Sequence, residues 1–77
     1  MKAYHPKSWS QQAREMCDRQ INQINSGWQT VEGAIKFFHT SYRADIIRCR
    51  AAKRFGRLVE SGKVHEDLIT YQSRFNL

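Results

Sequence analysis

A row of arginines near the middle of the chain is the feature best suited to chemistry. Arg43, Arg50 and Arg57 recur at intervals of seven residues. In a helix this spacing places them along one edge, and the planar guanidinium of arginine binds phosphate or carboxylate through two parallel hydrogen bonds. The spacing therefore predicts a row of cations suited to a polyanion. With their basic neighbours, the candidate binding residues are Lys36, His39, Arg43, Arg50, Lys53, Arg54 and Arg57.

The net charge of the chain is concentrated in the same region. The 77 residues include 13 Lys and Arg and 7 Asp and Glu, which gives a formal net charge of +6. From Lys36 to Arg57 seven basic residues meet one acid, Asp45, and elsewhere six basic residues balance six acids. Such a positive region favours binding to nucleic acid or to an acidic protein surface.

Catalytic and metal-binding patterns are not found in the sequence. The carboxylates are scattered among basic residues, the histidines occur singly, and the glycines lack the spacing that cradles phosphate. Cys17 and Cys49 fall on the apolar sides of predicted helices, where a thiol is a small buried hydrophobe. We therefore expect no enzymatic activity, no metal and no cofactor.

Proline and glycine residues divide the chain into an arm and three helices. Pro6 cannot lie inside a helix, so residues 1–7 are predicted to form a flexible arm. Ser-Gly pairs at 26–27 and 61–62 are typical helix ends, and Ser8 and Thr30 are suitable N-caps. Residues 1–77 are thus predicted to form one helical domain, with helices at about 8–26, 30–61 and 64–75.

The predicted fold is all-α, with one long central basic helix (about 30–60) packed by a shorter helix on each side. Apolar residues surround most of this long helix, so more than one neighbour must cover it. Two short helices leave part of it unfilled, and we therefore expect a homodimer through the long helix. The small residues that would permit close approach are Ala44, Ala51, Ala52 and Gly56.

A break in the long helix is the alternative to this layout. Four weak helix formers follow one another from His39 to Tyr42, and Thr40 or Ser41 could cap a new helix there. The fold would then have four helices, with residues 43–60 as a separate basic helix in an arrangement close to a helix-turn-helix. The sequence leaves both layouts open.

Binding of nucleic acid, DNA or RNA, through phosphate contacts is the function that the arginine row favours. Base-specific recognition is not supported, because no asparagine or glutamine alternates with the arginines. The alternative is a small regulator or inhibitor that docks its basic helix on an acidic surface of a larger protein. Membrane binding is a weaker third possibility. Without a long apolar run, we expect a cytoplasmic protein with no membrane association.

Overall fold

The structure of the protein is a computed structural model that describes residues 7–75. These residues form four helices and no strand: α1 (Trp9–Asn25), α2 (Val31–Thr40), α3 (Asp45–Glu60) and α4 (Leu68–Phe75). The prediction of an all-α fold is confirmed. Apart from Lys7, the predicted arm at residues 1–7 lies outside the described residues. None of the four helices combines the length and the apolar character needed to span a membrane.

The ends of α1 and α3 follow the predicted signals. The Ser8 hydroxyl accepts a hydrogen bond from the backbone N–H of Gln11 at 3.1 Å and so caps α1. Gly27 and Gly62 have φ angles of 79° and 78°, a left-handed conformation that glycine adopts without strain. At both glycines the following N–H bonds back to a carbonyl of the last helical turn, which closes the helix.

The prediction of a single helix over residues 30–61 is wrong, because α2 ends at Thr40 and α3 begins at Asp45. Ser41 and Ala44 have extended backbones, with ψ of 147° and 145°. The Thr40 hydroxyl donates to the Lys36 carbonyl at 2.9 Å, and the Ser41 hydroxyl accepts from a backbone N–H two residues later. Such side-chain bonds compete with helix continuation, so the alternative break near residues 39–42 is the one the fold adopts.

Arg48 connects the two helices across this break. Its Nη1 donates to the backbone carbonyl of His39 at 2.6 Å, and its Nη2 pairs with Asp45. The guanidinium therefore satisfies a carbonyl in the last turn of α2, which has no partner within its own helix. Its Nε is buried without a hydrogen-bond partner among the described residues.

The core lies between α1, α2 and α3. Its buried side chains come from all three helices, and Phe38 of α2 meets Phe55 of α3 edge to face at 5.2 Å. Arg50 bonds to Ser10, and Arg54 bonds to Asp18 further along both helices, so α1 runs parallel to α3. The predicted layout, with a shorter helix on each side of one long helix, is therefore replaced by a bundle. The buried apolar residues are Ala13, Met16, Cys17, Ile21, Ile24, Ala34, Phe38, Ile47, Ala51 and Phe55.

The prediction of a helix at 64–75 is wrong at its start. α4 begins at Leu68, and residues 64–67 precede it. Asp67 caps α4, because its carboxylate accepts hydrogen bonds from the Thr70 hydroxyl at 2.6 Å and the Thr70 N–H at 2.9 Å. These bonds hold the pKa of Asp67 below its ordinary value. Glu66 instead accepts from the N–H of Val31 at 3.0 Å and so caps the start of α2.

α4 rests on the rest of the protein without burying any residue of its own. Phe75 packs edge to face on Trp28 with ring centres 5.8 Å apart, and the Arg74 guanidinium lies 3.9 Å from the centre of the Trp28 ring. Trp28 lies outside the core, with 51% of its surface exposed. It serves instead as the docking point for α4.

Candidate basic groove between α1 and α3

Basic side chains from two helices line an open groove of about 350 Å³ between α1 and α3. Five of its seven lining residues carry a positive charge, and none is acidic. We call this surface the basic groove. Its lining residues are Ser10, Ala13, Arg14, Arg50, Lys53, Arg54 and Arg57.

The helical phase of α3 explains why its cations meet here. Ile47, Ala51 and Phe55 are buried and fix the inner side of the helix. The four basic residues at 50, 53, 54 and 57 lie at spacings of three and four, and they occupy the flank that faces α1. Burial of the apolar residues thus aims the charges into the groove.

Contacts within the basic groove neutralise little of its charge. Arg50 donates from Nη1 to the Ser10 hydroxyl at 2.6 Å, which positions the guanidinium but leaves its charge intact. Arg54 approaches Asp18 at 3.4 Å, and both side chains are substantially exposed. Water screens this exposed pair, so it adds little to stability, but the Asp18 carboxylate still competes with a phosphate for Arg54. The side chains of Lys53 and Arg57 form no hydrogen bond or ion pair with the described residues and remain free to meet an anion.

The seven predicted site residues do not form one continuous stripe. The groove unites Arg50, Lys53, Arg54 and Arg57, whereas the other three lie elsewhere. The break at Ser41 separates the helical phase of α2 from that of α3, which is the physical reason for the correction.

The three remaining candidates lie in different surroundings. Lys36 is exposed on α2, and His39 lies beside α3 on the flank away from the basic groove. Arg43 is half-buried in the turn before α3, and its Nη1 donates to the Gln12 side chain at 3.0 Å. Arg43 therefore has a structural partner already, and none of the three lines the basic groove.

Arg14 is the groove residue that the sequence did not indicate. It lies on a charge-balanced face of α1 that is typical of solvated surface. Its contribution depends on the packing of α1 alongside α3, and no spacing within α1 reports that packing.

The two cysteines differ in exposure. Cys17 is fully buried, and this burial raises the pKa of its thiol to about 11. Cys49 is exposed, contrary to the prediction, because the core side of α3 is set by Ile47, Ala51 and Phe55. Within residues 7–75 no group of three or more His, Cys, Asp or Glu side chains could hold a metal ion.

A second groove lies between α2 and α3, on the opposite flank of α3. It has a volume of about 300 Å³ and is lined mostly by apolar side chains. We call it the apolar groove. Its lining residues are Val31, Ile35, Phe38, His39, Ala52, Phe55, Gly56, Val59 and Glu60.

Large aromatic side chains are exposed outside both grooves. Trp9 and Tyr42, which the sequence places in packing positions, are 57% and 95% exposed. Neither lines the basic groove or the apolar groove. The basic groove therefore offers charge without an aromatic surface on which bases could stack.

Comparison with known proteins gives no match: no protein-family model, no curated protein and no solved structure is similar to this chain. The two grooves on opposite flanks of α3 are therefore the candidate binding sites of this protein.

Proposed function

We propose that this protein binds nucleic acid by phosphate contacts through the basic groove. The observation that carries the proposal is the convergence of five cations from α1 and α3 on one surface that no acidic residue lines. Charge neutralisation of this kind supplies the sequence-independent part of nucleic-acid affinity. Phosphate binding of this kind is sufficient for a small regulatory protein that acts on nucleic acid.

A double-stranded ligand suits the groove better than a single strand. Proteins that bind single strands usually stack bases on aromatic side chains, and the basic groove has none. The succession of α2, a short turn and α3 is similar to a helix-turn-helix, in which the second helix approaches a duplex groove. From Arg50 to Arg57 the helix rises about 10 Å, enough to follow several successive phosphates.

Sequence-specific recognition is not part of the proposal. Bidentate reading of adenine uses asparagine or glutamine, and α3 contains neither. The basic side chains lie on the flank towards α1, where they suit the backbone of a duplex better than its base edges.

The homodimer predicted from the sequence would strengthen this binding, although phosphate binding in one basic groove does not require it. Two copies would present two basic grooves, and simultaneous contact would raise the affinity for a long duplex without any new type of contact. Ala51 can take no part in the dimer contact, because it is fully buried within one copy.

A protein-binding regulator or inhibitor is the alternative function. The basic groove could dock on an acidic surface of a larger protein, because arginine is enriched at interfaces. The two functions differ in the ligand that the groove captures. A direct binding assay with nucleic acid separates them.

The decisive assay is fluorescence anisotropy with labelled duplex DNA, duplex RNA and single-stranded DNA at about 50 mM salt, where phosphate contacts are strong. The groove variant is Arg50→Glu, Lys53→Glu and Arg57→Glu combined, which lowers the formal net charge from +6 to 0. We expect it to lose binding, because like charges then face the phosphates. Circular dichroism verifies that both proteins keep their helices.

A matched control variant carries the same change in charge away from the groove. Arg19→Glu, Lys36→Glu and Lys63→Glu combined also lower the net charge to 0, and none of the three lines the basic groove. We expect this variant to keep most of the affinity. Equal losses in both variants would contradict a specific groove. If the wild-type protein binds none of the ligands, the acidic protein partner becomes the preferred function.

A further inference from the structure

The apolar groove is a surface that the proposed function does not use. Phe38 and Phe55 are buried at its floor, while Val31 and Val59 are only partly buried around it. No other element of the described chain covers it. Apolar surface of this kind is stabilised when another molecule removes it from water.

The shape of the groove is self-complementary. Ile35 projects from its α2 side with 44% of its surface exposed. On the α3 side Gly56 leaves an opening, because a Cβ atom built there would meet no atom within 4 Å. The groove therefore contains both a protruding side chain and a space that could receive one.

We propose that a second copy of this chain occupies the apolar groove across a two-fold axis. Each copy inserts Ile35 over Gly56 of the other copy, and Ala52 allows the helices to approach closely. A two-fold contact uses the same patch twice, so a surface with a projection and a matching space closes on itself. This inference does not depend on nucleic-acid binding.

Polar groups at the two ends of the apolar groove agree with a two-fold arrangement. His39 lies at one end, in the last turn of α2, and Glu60 lies at the other, at the end of α3. A two-fold axis through the middle opposes unlike ends, so His39 of each copy approaches Glu60 of the other. Such polar pairs, here an imidazole beside a carboxylate, fix the register of an interface more than its affinity.

The position of the basic groove also favours a second copy. Because the basic groove lies on the opposite flank of α3, dimerisation through the apolar groove keeps the two sets of cations away from the contact. A dimer formed through the basic flank would instead bring like charges together. Both grooves can therefore be occupied in the same assembly.

The test is sedimentation of the intact protein in a dilution series from about 1 to 100 µM, the range in which dimers with micromolar Kd dissociate. We expect the wild-type protein to convert from monomer to dimer. In Gly56→Leu the new side chain fills the space for Ile35 and raises the dimer Kd at least about tenfold. Leucine is a better helix former than glycine, so the helix content of the variant is retained.

Two further variants make the result specific. Ile35→Gln replaces the projecting apolar side chain with a polar one, which is costly to bury, and should also give a monomer. Gln72→Leu adds a comparable leucine to the exposed surface of α4, outside the apolar groove, and should leave the dimer intact. A wild-type protein that stays monomeric at about 100 µM overturns the proposal and leaves the groove to a different partner. A dimer that persists in Gly56→Leu overturns it as well.

Discussion

The salt dependence of nucleic-acid binding follows quantitatively from the contacts in the basic groove. Five cations line it, and Arg54 shares its charge with Asp18, which leaves about four for phosphates. Each neutralised phosphate contributes about −0.9 to the slope of log affinity against log salt, so we expect a slope of about −3.6. Between about 50 and 200 mM salt the affinity for duplex DNA should fall about 150-fold.

Two variants move this slope in opposite directions. Lys53→Gln and Arg57→Gln combined remove two contacts, so the slope should become about −1.8 and the loss over the same range about 12-fold. Asp18→Asn releases Arg54 from its pair, so the slope should steepen to about −4.5 and binding at low salt should tighten. Anisotropy titrations at four or more salt concentrations measure both slopes.

The outcome for Asp18→Asn is the more demanding part, because a variant made less acidic anywhere on the surface gains some affinity. Glu32→Gln is the matched control: it removes one exposed carboxylate from α2, outside the basic groove. It should raise affinity slightly without changing the slope by a whole contact. Equal slopes for the wild-type protein and Lys53→Gln/Arg57→Gln would refute phosphate binding in the basic groove.

Three further predictions concern the fold. Arg48→Met removes the bond to the α2 carbonyl and should destabilise the protein by about 1–2 kcal/mol, lowering Tm by roughly 4–8 °C per kcal/mol; an unchanged thermal melt would contradict this. A disulfide reagent should modify Cys49 rapidly and Cys17 only after unfolding, as counted by mass spectrometry. Because the folded pKa of Asp67 is lowered, its cap is intact above the ordinary Asp pKa and is lost as pH falls through the lowered value, which NMR of α4 should detect.

Local signals in the sequence predicted the helix ends well. Ser8 and Thr30 cap helices as expected, and Gly27 and Gly62 terminate them, because these interactions involve neighbours within a few residues. The sequence leaves the break between α2 and α3 open, because weak helix formers allow either a continuous or a broken helix. Arg48 contributes to the choice, and its bond to the His39 carbonyl spans nine residues.

The candidate site could be predicted only in part, because contacts between distant residues decide some of its members. Four members of the basic groove share one helix, so their spacing revealed them. Arg14 joins them through tertiary packing, and Arg43 leaves them because Gln12 of α1 binds it. The exposure of Tyr42 could not be predicted from helical phase either. Tyr42 has the phase of a core residue in a continuous helix, yet it lies in the turn and is 95% exposed.

Because α4 is attached by few contacts, we expect it to unfold at a lower free energy than α1, α2 and α3. α4 buries no residue and is held by the Trp28 stacking contacts, the packing of Thr70 on Gly27 and the Glu66 cap on α2, so its opening should cost little. Amide protons in α4 should exchange with solvent while those of α1 and α3 remain protected. In a Trp9→Phe variant, unfolding measured by Trp28 fluorescence would then begin before most of the helicity is lost, and no single free energy of unfolding would apply to the described residues.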